Sequence, residues 1–274
     1  MTHKMALQAL LKGRRERIDP ESHGFVRTPN RQGRRARGLS QSQVDRILNR
    51  ASGVYHRLET GTYTNPPHDL LADVAKLFRL DEQEWVSLCR YARASDPPGP
   101  LYPRSGKEVP GAWQDAVDGM SHMAYVTDCS WELLAHNAPF ANLFPHGEAP
   151  TNTLRWMLLD HSARDVLADW DTAWAPFVLP QLRTALAARP QDEVLRAIEA
   201  DVLVDPDTGP LYEQCVAYIH PDGDERPLQH PELGRGWVTM CAAQPMSAPG
   251  ARIIVLVYRP GAEQAGRLPA LRAV

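Results

Sequence analysis

Residues 39–61, LSQSQVDRILNRASGVYHRLETG, hold the densest local signals in the chain and decide how its first third is read. Ser40 with Gln43 three residues on has capping-box spacing, in which each side chain satisfies an orphan amide of a helix's first turn. The helix so opened buries Val44 and Leu48, with Ile47 beside them, and a turn follows at Asn49 and Arg50. A second short helix, about Ala51 to Thr60, sets Val54 and Leu58 at i, i+4 on its inner side, and Gly61 ends it. Its outer side presents Ser52, Gly53, His56 and Arg57, residue types able to approach a base edge or a phosphate closely, and an arginine can pair bidentately with guanine.

Upstream, Met5 to Arg17 reads as a helix with Ala6, Leu10 and Ile18 on its apolar face. Arg14, Arg15 and Arg17 lie near its end, where cations suit the helix dipole, and Asp19-Pro20 stops it. Residues 21–38 carry Arg31, Arg34, Arg35 and Arg37 among Pro and Gly and read as an extended basic loop; beside DNA, Arg34, Arg35 and Arg37 would touch phosphates. Downstream, Asn65-Pro66-Pro67 starts a fourth helix (Leu70, Leu71, Val74, Leu77, Phe78), and Asp81 with Glu84 caps a fifth (Trp85, Leu88, Cys89). The prolines of Ser95-Asp96-Pro97-Pro98-Gly99-Pro100 then exclude a continuing helix or central strand. The expected division is therefore a helical domain over 1–95, a linker over 96–104, a second domain over 105–260 and a tail over 261–274 whose composition predicts disorder.

Charge divides in the same place. Residues 1–95 hold 17 Lys and Arg against 10 Asp and Glu, a charge of +7, while residues 96–274 hold 13 against 23, a charge of −10. A basic first third beside an acidic remainder suits a chain of which one part meets a polyanion, and double-stranded DNA is the first candidate. The hydrophobic fraction of 43% and charged fraction of 23% exclude a disordered, collagenous or membrane-spanning class. No apolar run reaches a spanning length and no secretory signal pattern opens the chain, so the expected place is the cytoplasm, without membrane partners. Cys89, Cys129, Cys215 and Cys241 lie far apart, which points to reduced thiols rather than a zinc ribbon or a disulfide framework, and no metal or cofactor is expected.

Leu39-Ser40-Gln41, Arg57 to Gly61, and Pro66 to Leu80 resemble the lambda-repressor-like helix-turn-helix of the xenobiotic-response-element (XRE) regulators, a likeness that spans most of residues 1–93. The resemblance implies that Gln41 contacts a phosphate, that Ser52, Gly53 and Arg57 face the major groove, and that Thr62, Tyr63 and Thr64 touch the DNA backbone; Arg50 and His56 belong to the same expected interface. Two departures from that pattern are the turn, here Leu48-Asn49-Arg50, and the long loop between the first two helices.

After residue 104 the pattern changes. A short helix (Trp113 to His122) precedes two strand-like runs, Met123 to Asp128 and Trp131 to His136, spaced as a hairpin. Helical text follows at Ala138 to Leu143, Leu154 to Leu159, Ala163 to Ala188 with Pro176 and Pro180 kinking or splitting it, and Leu195 to Ile198. Three further strands are expected at Tyr212 to Ile219, Trp237 to Ala242 and Arg252 to Tyr258. The fold class is therefore an all-α helix-turn-helix domain followed by an α+β domain with an antiparallel sheet covered by helices on one face, and a cavity between the two layers is the natural ligand site.

Asn137, the run Asn152-Thr153-Leu154-Arg155 with Asp160, Asp169-Trp170, and His230-Pro231-Glu232-Leu233-Gly234 resemble the ligand-binding half of the MmyB-like transcription regulators. The resemblance implies a PAS-like sensor domain of a kind common in antibiotic-producing actinomycetes, some members of which bind a fatty acid. From the residues themselves, Asn137 and Arg155 are the polar candidates for a ligand's carboxylate, although Arg155 could equally pair with Asp160. Tyr125, Trp131, Trp156, Trp170 and Trp174 are candidates for apolar wall or plain core. His230-Pro231 reads as bracing a turn before Trp237.

Enzymatic motifs are missing from the sequence: there is no HExxH, GxSxG or GxGxxG, and Gly106-Lys107 has Leu101 where a P-loop needs glycine. His136 or His161 near Asp128 or Asp160 has no nucleophile indicated beside it. The expectation is a non-enzymatic regulator: a homodimer on an inverted-repeat operator, modulated by a small hydrophobic, fatty-acid-like effector. A protein-interaction module and a small-molecule enzyme with an appended helical domain are the alternatives.

Overall fold

The computed structural model describes residues 3–26, 38–214 and 223–261. The chain divides between Tyr102 and Pro103 into two compact units. The first is helical, with α1 (His3–Arg15), α2 (Gln41–Ile47), α3 (Val54–Glu59), α4 (His68–Leu77) and α5 (Glu82–Arg93). Both expected capping boxes are present, Ser40 with Gln43 on α2 and Asp81 with Glu84 on α5. The face of α1 that goes inward is Leu7 and Leu11, one residue round from the expected Ala6 and Leu10, which are half-buried beside it.

A long-range cap shortens α3. The buried carboxylate of Asp45 accepts the amides of Gly53 (2.8 Å) and Tyr55 (2.7 Å), so the helix begins at Val54, with Gly53 in the left-handed region at φ +84°. Tyr55, Leu58 and Glu59 turn inward, and Val54 stays half-buried. The Tyr55 ring meets Phe78 edge to face at 5.7 Å, inside a core that also holds Leu11, Val44, Leu71, Val74, Trp85 and Leu88.

That core contains an ion pair. Arg15 donates to Glu59 through Nε (2.8 Å) and Nη2 (3.1 Å), with the two side chains 11% and 3% exposed. Arg15 Nη1 also donates to the Leu39 carbonyl (2.6 Å), and Gln41 Nε2 donates to Glu59 (2.7 Å). Gly38 makes the close approach possible: at φ +65°, a Cβ there would lie 2.3 Å from the Arg15 carbonyl oxygen.

The expected linker is partly taken up by the first unit. Glu82 accepts the amides of Leu101 and Tyr102, Trp85 Nε1 donates to the Gly99 carbonyl (3.0 Å), and the Tyr102 hydroxyl donates to the Leu80 carbonyl (3.1 Å). Proline and glycine excluded helix and strand there, but they did not prevent packing, and Leu101 is a core residue. The expected basic-loop contacts Arg34, Arg35 and Arg37, and the tail from 262 on, lie outside the described residues.

The second unit is α+β. Its strands β1 (Met123–Thr127), β2 (Leu133–His136), β3 (Asp224–His230), β4 (Gly234–Ala243) and β5 (Arg252–Pro260) form one antiparallel sheet in the order β2-β1-β5-β4-β3. Its helices are α6 (Ala112–Asp118), α7 (Ala138–Ala141), α8 (Thr153–Leu159), α9 (Ser162–Val166), α10 (Ala175–Ala188), α11 (Glu193–Val204) and α12 (Thr208–Gln214). Period-2 alternation sorts the paired strands β1 and β5 into two faces. Ala124, Val126 and Ile253 pack with Val117 of α6 on one face, while Met123 and Leu256 join the larger helical core on the other. Helices therefore do not keep to one side as expected, because α6 covers the far face of β1 and β5.

Two expected elements change identity. Tyr212 lies in α12, not in a strand over Tyr212 to Ile219; Asp205 accepts the amides of Asp207 (3.0 Å) and Thr208 (2.8 Å) and so starts a helix, and 215–219 lie outside the described residues. The third strand is instead β3, which contains Pro227 and sits at the sheet edge, where a missing amide donor is tolerated. The expected helix over Ala163 to Ala188 is split into α9, a π-helical turn over Trp170–Trp174, and α10, with Pro176 in the first turn of α10. Among the described residues no helix is long and apolar enough to cross a membrane.

Burial alone would raise the Glu59 pKa, but hydrogen bonds from Arg15, Tyr55 and Gln41 outweigh it and hold the carboxyl below its ordinary range. Its stabilisation is thus complete above the unfolded-state pKa and is lost as pH falls through the folded one. Glu59→Ala strands Arg15 in the core and is expected to cost about 3–5 kcal/mol. Urea unfolding read by exchange protection of the α1 and α3 amides checks this: the variant starts lower and loses less stability toward acid than the wild type.

Candidate ligand-binding site

Between the sheet and the helices of the second unit lies a cavity of about 420 Å³, within the usual range for small-molecule sites. The sheet side is built from alternate residues of its central strands: Tyr125 and Thr127 of β1, Met240 and Ala242 of β4, and Arg252, Ile254 and Leu256 of β5. The helix side brings Phe140 from α7, Trp156 and Met157 from α8, Val166 from α9, Trp174 from the π turn and Val178, Ala185 and Ala188 from α10. An aromatic row runs along the wall, Tyr125 to Phe140 at 4.4 Å, Phe140 to Phe144 at 5.1 Å and Phe144 to Trp156 at 5.0 Å.

The indole N–H groups are spent elsewhere. Trp156 Nε1 donates to Ser162 Oγ (3.1 Å) and Trp174 Nε1 to the Pro227 carbonyl (2.9 Å), so these side chains offer the cavity their apolar rings. Trp131 sits in the left-handed region at φ +64° in the turn between β1 and β2, under the Arg252 guanidinium at 3.9 Å from its ring centroid. Burial pushes the Tyr125 hydroxyl up to about 12, so it lines the cavity as a neutral phenol.

Polar groups gather at intervals on this apolar wall. Arg226 donates to Asp224 Oδ2 (2.8 Å) and the Ala173 carbonyl (2.6 Å) and stacks over Phe177 at 4.4 Å. Arg189 donates to the carbonyls of Pro249 (2.8 Å) and Pro103 (3.2 Å). Arg252 Nη1 and Thr127 Oγ1 are buried without a hydrogen-bond partner among the described residues.

Of the residues expected at a ligand site, Tyr125, Trp131, Trp156 and Trp174 line this cavity. Trp170 packs in the core beside it, donating to the Met157 carbonyl (2.7 Å). Asn137 is a correction. Its Oδ1 accepts the amides of Ala124 (3.0 Å) and Phe140 (3.1 Å), and its Nδ2 donates to the carbonyls of Val117, Met120 and His122, so a ligand would find no free donor there. Arg155 is another: half exposed on α8, it pairs with Asp201 of α11 at 2.7 Å, neither with Asp160 nor with the cavity. Asp128 serves its own turn, accepting the amides of Ser130 (2.6 Å) and Glu132 (2.8 Å) beside Lys107 (3.2 Å). His230 Nδ1 accepts the amides of Glu232 and Leu233 and braces the turn into β4. Arg252 escaped the sequence reading although its spacing from Ile254 and Leu256 at i+2 and i+4 places it on the same strand face.

In the first unit, Ser52, His56 and Arg57 are exposed at α3, and His56 Nδ1 lies 2.9 Å from Gln41 Oε1. Arg57 lies over the Tyr63 ring at 5.0 Å, Thr62 Oγ1 donates to the Arg57 carbonyl, and Thr64 is exposed. Arg50 is committed to Asp69 (2.9 Å) and Asp73 (2.8 Å), which ties the turn after α2 to α4, and the Gly53 amide is taken by Asp45. Arg50 is thus engaged within the unit, and the Gly53 amide is not free to donate elsewhere.

Among known families, the MmyB-like transcription regulator ligand binding domain matches residues 109–271. No curated protein matches the chain.

Removing the Asn137 side chain takes a donor from three carbonyls, of which that of Val117 keeps the Met120 amide, and an acceptor from two amides, so Asn137→Ala is expected to cost about 3 kcal/mol or more. Arg155→Ala breaks only an exposed pair and is expected to cost less than about 1 kcal/mol. Urea unfolding of the two variants checks the contrast.

Proposed function

The chain belongs to the MmyB-like transcription regulators, and from that premise we propose that it binds operator DNA through its first unit under the control of a small hydrophobic ligand held in its second. The observation that carries the reading is the apolar cavity between sheet and helices, walled by indoles whose N–H groups are satisfied elsewhere. A site of that chemistry takes an apolar, fatty-acid-like molecule, and a five-stranded antiparallel sheet carrying helices supports a PAS-like sensor. No catalytic step or cofactor is needed for this role, which suits a cytoplasmic regulator.

The first unit's likeness to XRE regulators supports a helix-turn-helix in which α3 reads the major groove, with Arg57, His56 and Ser52 toward base edges and Gln41, Thr62, Tyr63 and Thr64 along phosphates. Glu59 joins this surface to the core: one carboxylate holds both Arg15 and Gln41, and Gln41 in turn meets His56. A homodimer would place two such heads on an inverted repeat. Ligand then alters operator affinity to the extent that it binds the two states of the regulator differently.

Selection of retained sequences from pooled random duplex DNA, with and without added fatty acids, tests the proposal. An enriched inverted repeat whose half-sites lie about one helical turn apart, with retention changed by ligand, is the expected result. No enrichment at low salt would favour a protein-interaction module. Arg57→Ala is expected to lose about 1–3 kcal/mol at one operator position only, read as relaxed preference there.

A further inference from the structure

A carboxamide or an imidazole can turn, or move its proton, to suit whatever it meets, so its place on a helix does not by itself say whether it donates or accepts. On α3 that freedom is removed by a chain of contacts that begins in the core. Glu59 is 2% exposed, and its carboxylate accepts from Arg15 Nε (2.8 Å) and Nη2 (3.1 Å) and from Gln41 Nε2 (2.7 Å). Burial raises its pKa, but these donors outweigh burial and hold the carboxyl below its ordinary range, so it is ionised and can only accept.

An ionised carboxylate admits one orientation of the Gln41 amide, with Nε2 toward Glu59 and Oε1 turned away. That Oε1 lies 2.9 Å from His56 Nδ1, and a carbonyl oxygen accepts without donating. The proton of a neutral His56 therefore sits on Nδ1, which leaves Nε2 with a bare lone pair. His56 is exposed on the outer side of α3 beside Arg57, and its Nε2 makes no hydrogen bond among the described residues. A buried charge thus sets, through one amide, the hydrogen-bonding sense of a surface ring.

Resting on the operator reading above, we propose that His56 is a specificity-determining residue that accepts a hydrogen bond from the exocyclic amine of adenine or cytosine, and that Gln41 is the positioning residue that fixes its tautomer. In the major groove adenine N6 and cytosine N4 are donors, whereas guanine N7 and O6 and thymine O4 are acceptors. The Nε2 lone pair joins the first group and is repelled by the second. Phosphate oxygens also only accept, so the same lone pair directs His56 to a base rather than to the DNA backbone. Arg57, the next residue on α3, only donates and asks for guanine, so the two neighbours demand opposite base edges.

Two measurements on the full chain test this, both in mildly alkaline buffer, where histidines are neutral. Heteronuclear NMR of the histidine ring nitrogens needs no DNA, and the His56 signals are assigned by their loss in His56→Ala. Wild type is expected to hold His56 as the Nδ1–H tautomer, and Gln41→Met to lose that restriction. A proton on Nε2 in wild type, or an unchanged tautomer in Gln41→Met, overturns the relay and leaves operator binding standing. The second measurement compares sequences selected from random duplex DNA by wild type and by His56→Ala. One half-site position is expected to favour adenine and cytosine over guanine and thymine by about three- to tenfold, the weight of one hydrogen bond. His56→Ala is expected to lose the preference at that position and to keep it at the others. A preference for guanine or thymine there makes His56 a donor and overturns the assignment, as do identical profiles from the two proteins. No enriched operator at low salt, with either protein, defeats the DNA reading together with this one.

Discussion

The antiparallel pairing of β1 with β5 is the constraint on which the second unit depends. It fixes Met123 opposite Leu256, Tyr125 opposite Ile254 and Thr127 opposite Arg252, and a slip of one residue would exchange the faces of the strand that moved. With the register as it is, the small and branched residues Ala124, Val126 and Ile253 meet α6, and the aromatic and polar ones meet the cavity. The same pairing therefore builds a dry layer on one side and a binding site on the other. The closing strands follow from it, because β4 pairs with β5 and adds Met240 and Ala242 to the cavity floor.

In the first unit the organising contact is ionic. Arg15 and Glu59 are 44 residues apart in sequence, and their pair fastens the end of α1 to the end of α3, with Leu39 and Gln41 drawn in from the start of α2. A hydrophobic pair of similar volume could give as much stability, since desolvation offsets most of the attraction of a buried salt bridge. What the ionic version adds is direction: one carboxylate with three donors admits a single arrangement of α1, α2 and α3. The short α3 gains from this, because six residues hold few hydrogen bonds of their own and depend on Asp45 and Glu59 for placement.

Features set by neighbours in sequence were legible, and those set across the chain were not. Both capping boxes, the short β1–β2 hairpin and the turn at His230 follow from local chemistry and stand as read. The inner side of α3 did not, because its choice of Tyr55 over Val54 depends on a cap from Asp45 and a partner at Arg15. β3 was missed since Asp224 to His230 carries charge and proline with little alternation, features acceptable only at the edge that the topology gives it. Tyr212 went the other way: an aromatic and β-branched run resembled a strand, while the Asp205 carboxylate, accepting the amides of Asp207 and Thr208 two and three residues on, opened a helix. At the site, the aromatic wall was readable by residue type. Asn137 misled because a helix cap and a ligand anchor use the same amide, and only the count of its partners separates them.

The turn between β1 and β2 concentrates several costs in five residues. Trp131 holds a left-handed backbone that costs roughly 1–2 kcal/mol for a residue with a side chain, Asp128 is fully buried, and Arg252 rests on the indole face rather than on an anion. The turn is nonetheless firmly tied, through Asp128 to its own amides and through the Trp131 carbonyl to the Thr153 amide at the start of α8 (2.9 Å). α8 carries Trp156 at the far end of the aromatic row. α8 thus has its first turn fixed by the same turn whose tryptophan carries the Arg252 guanidinium, and it hands that placement on to the cavity wall through Trp156. The sheet side and the helix side of the cavity therefore meet in this one turn, so its strain is borne where both walls depend on it.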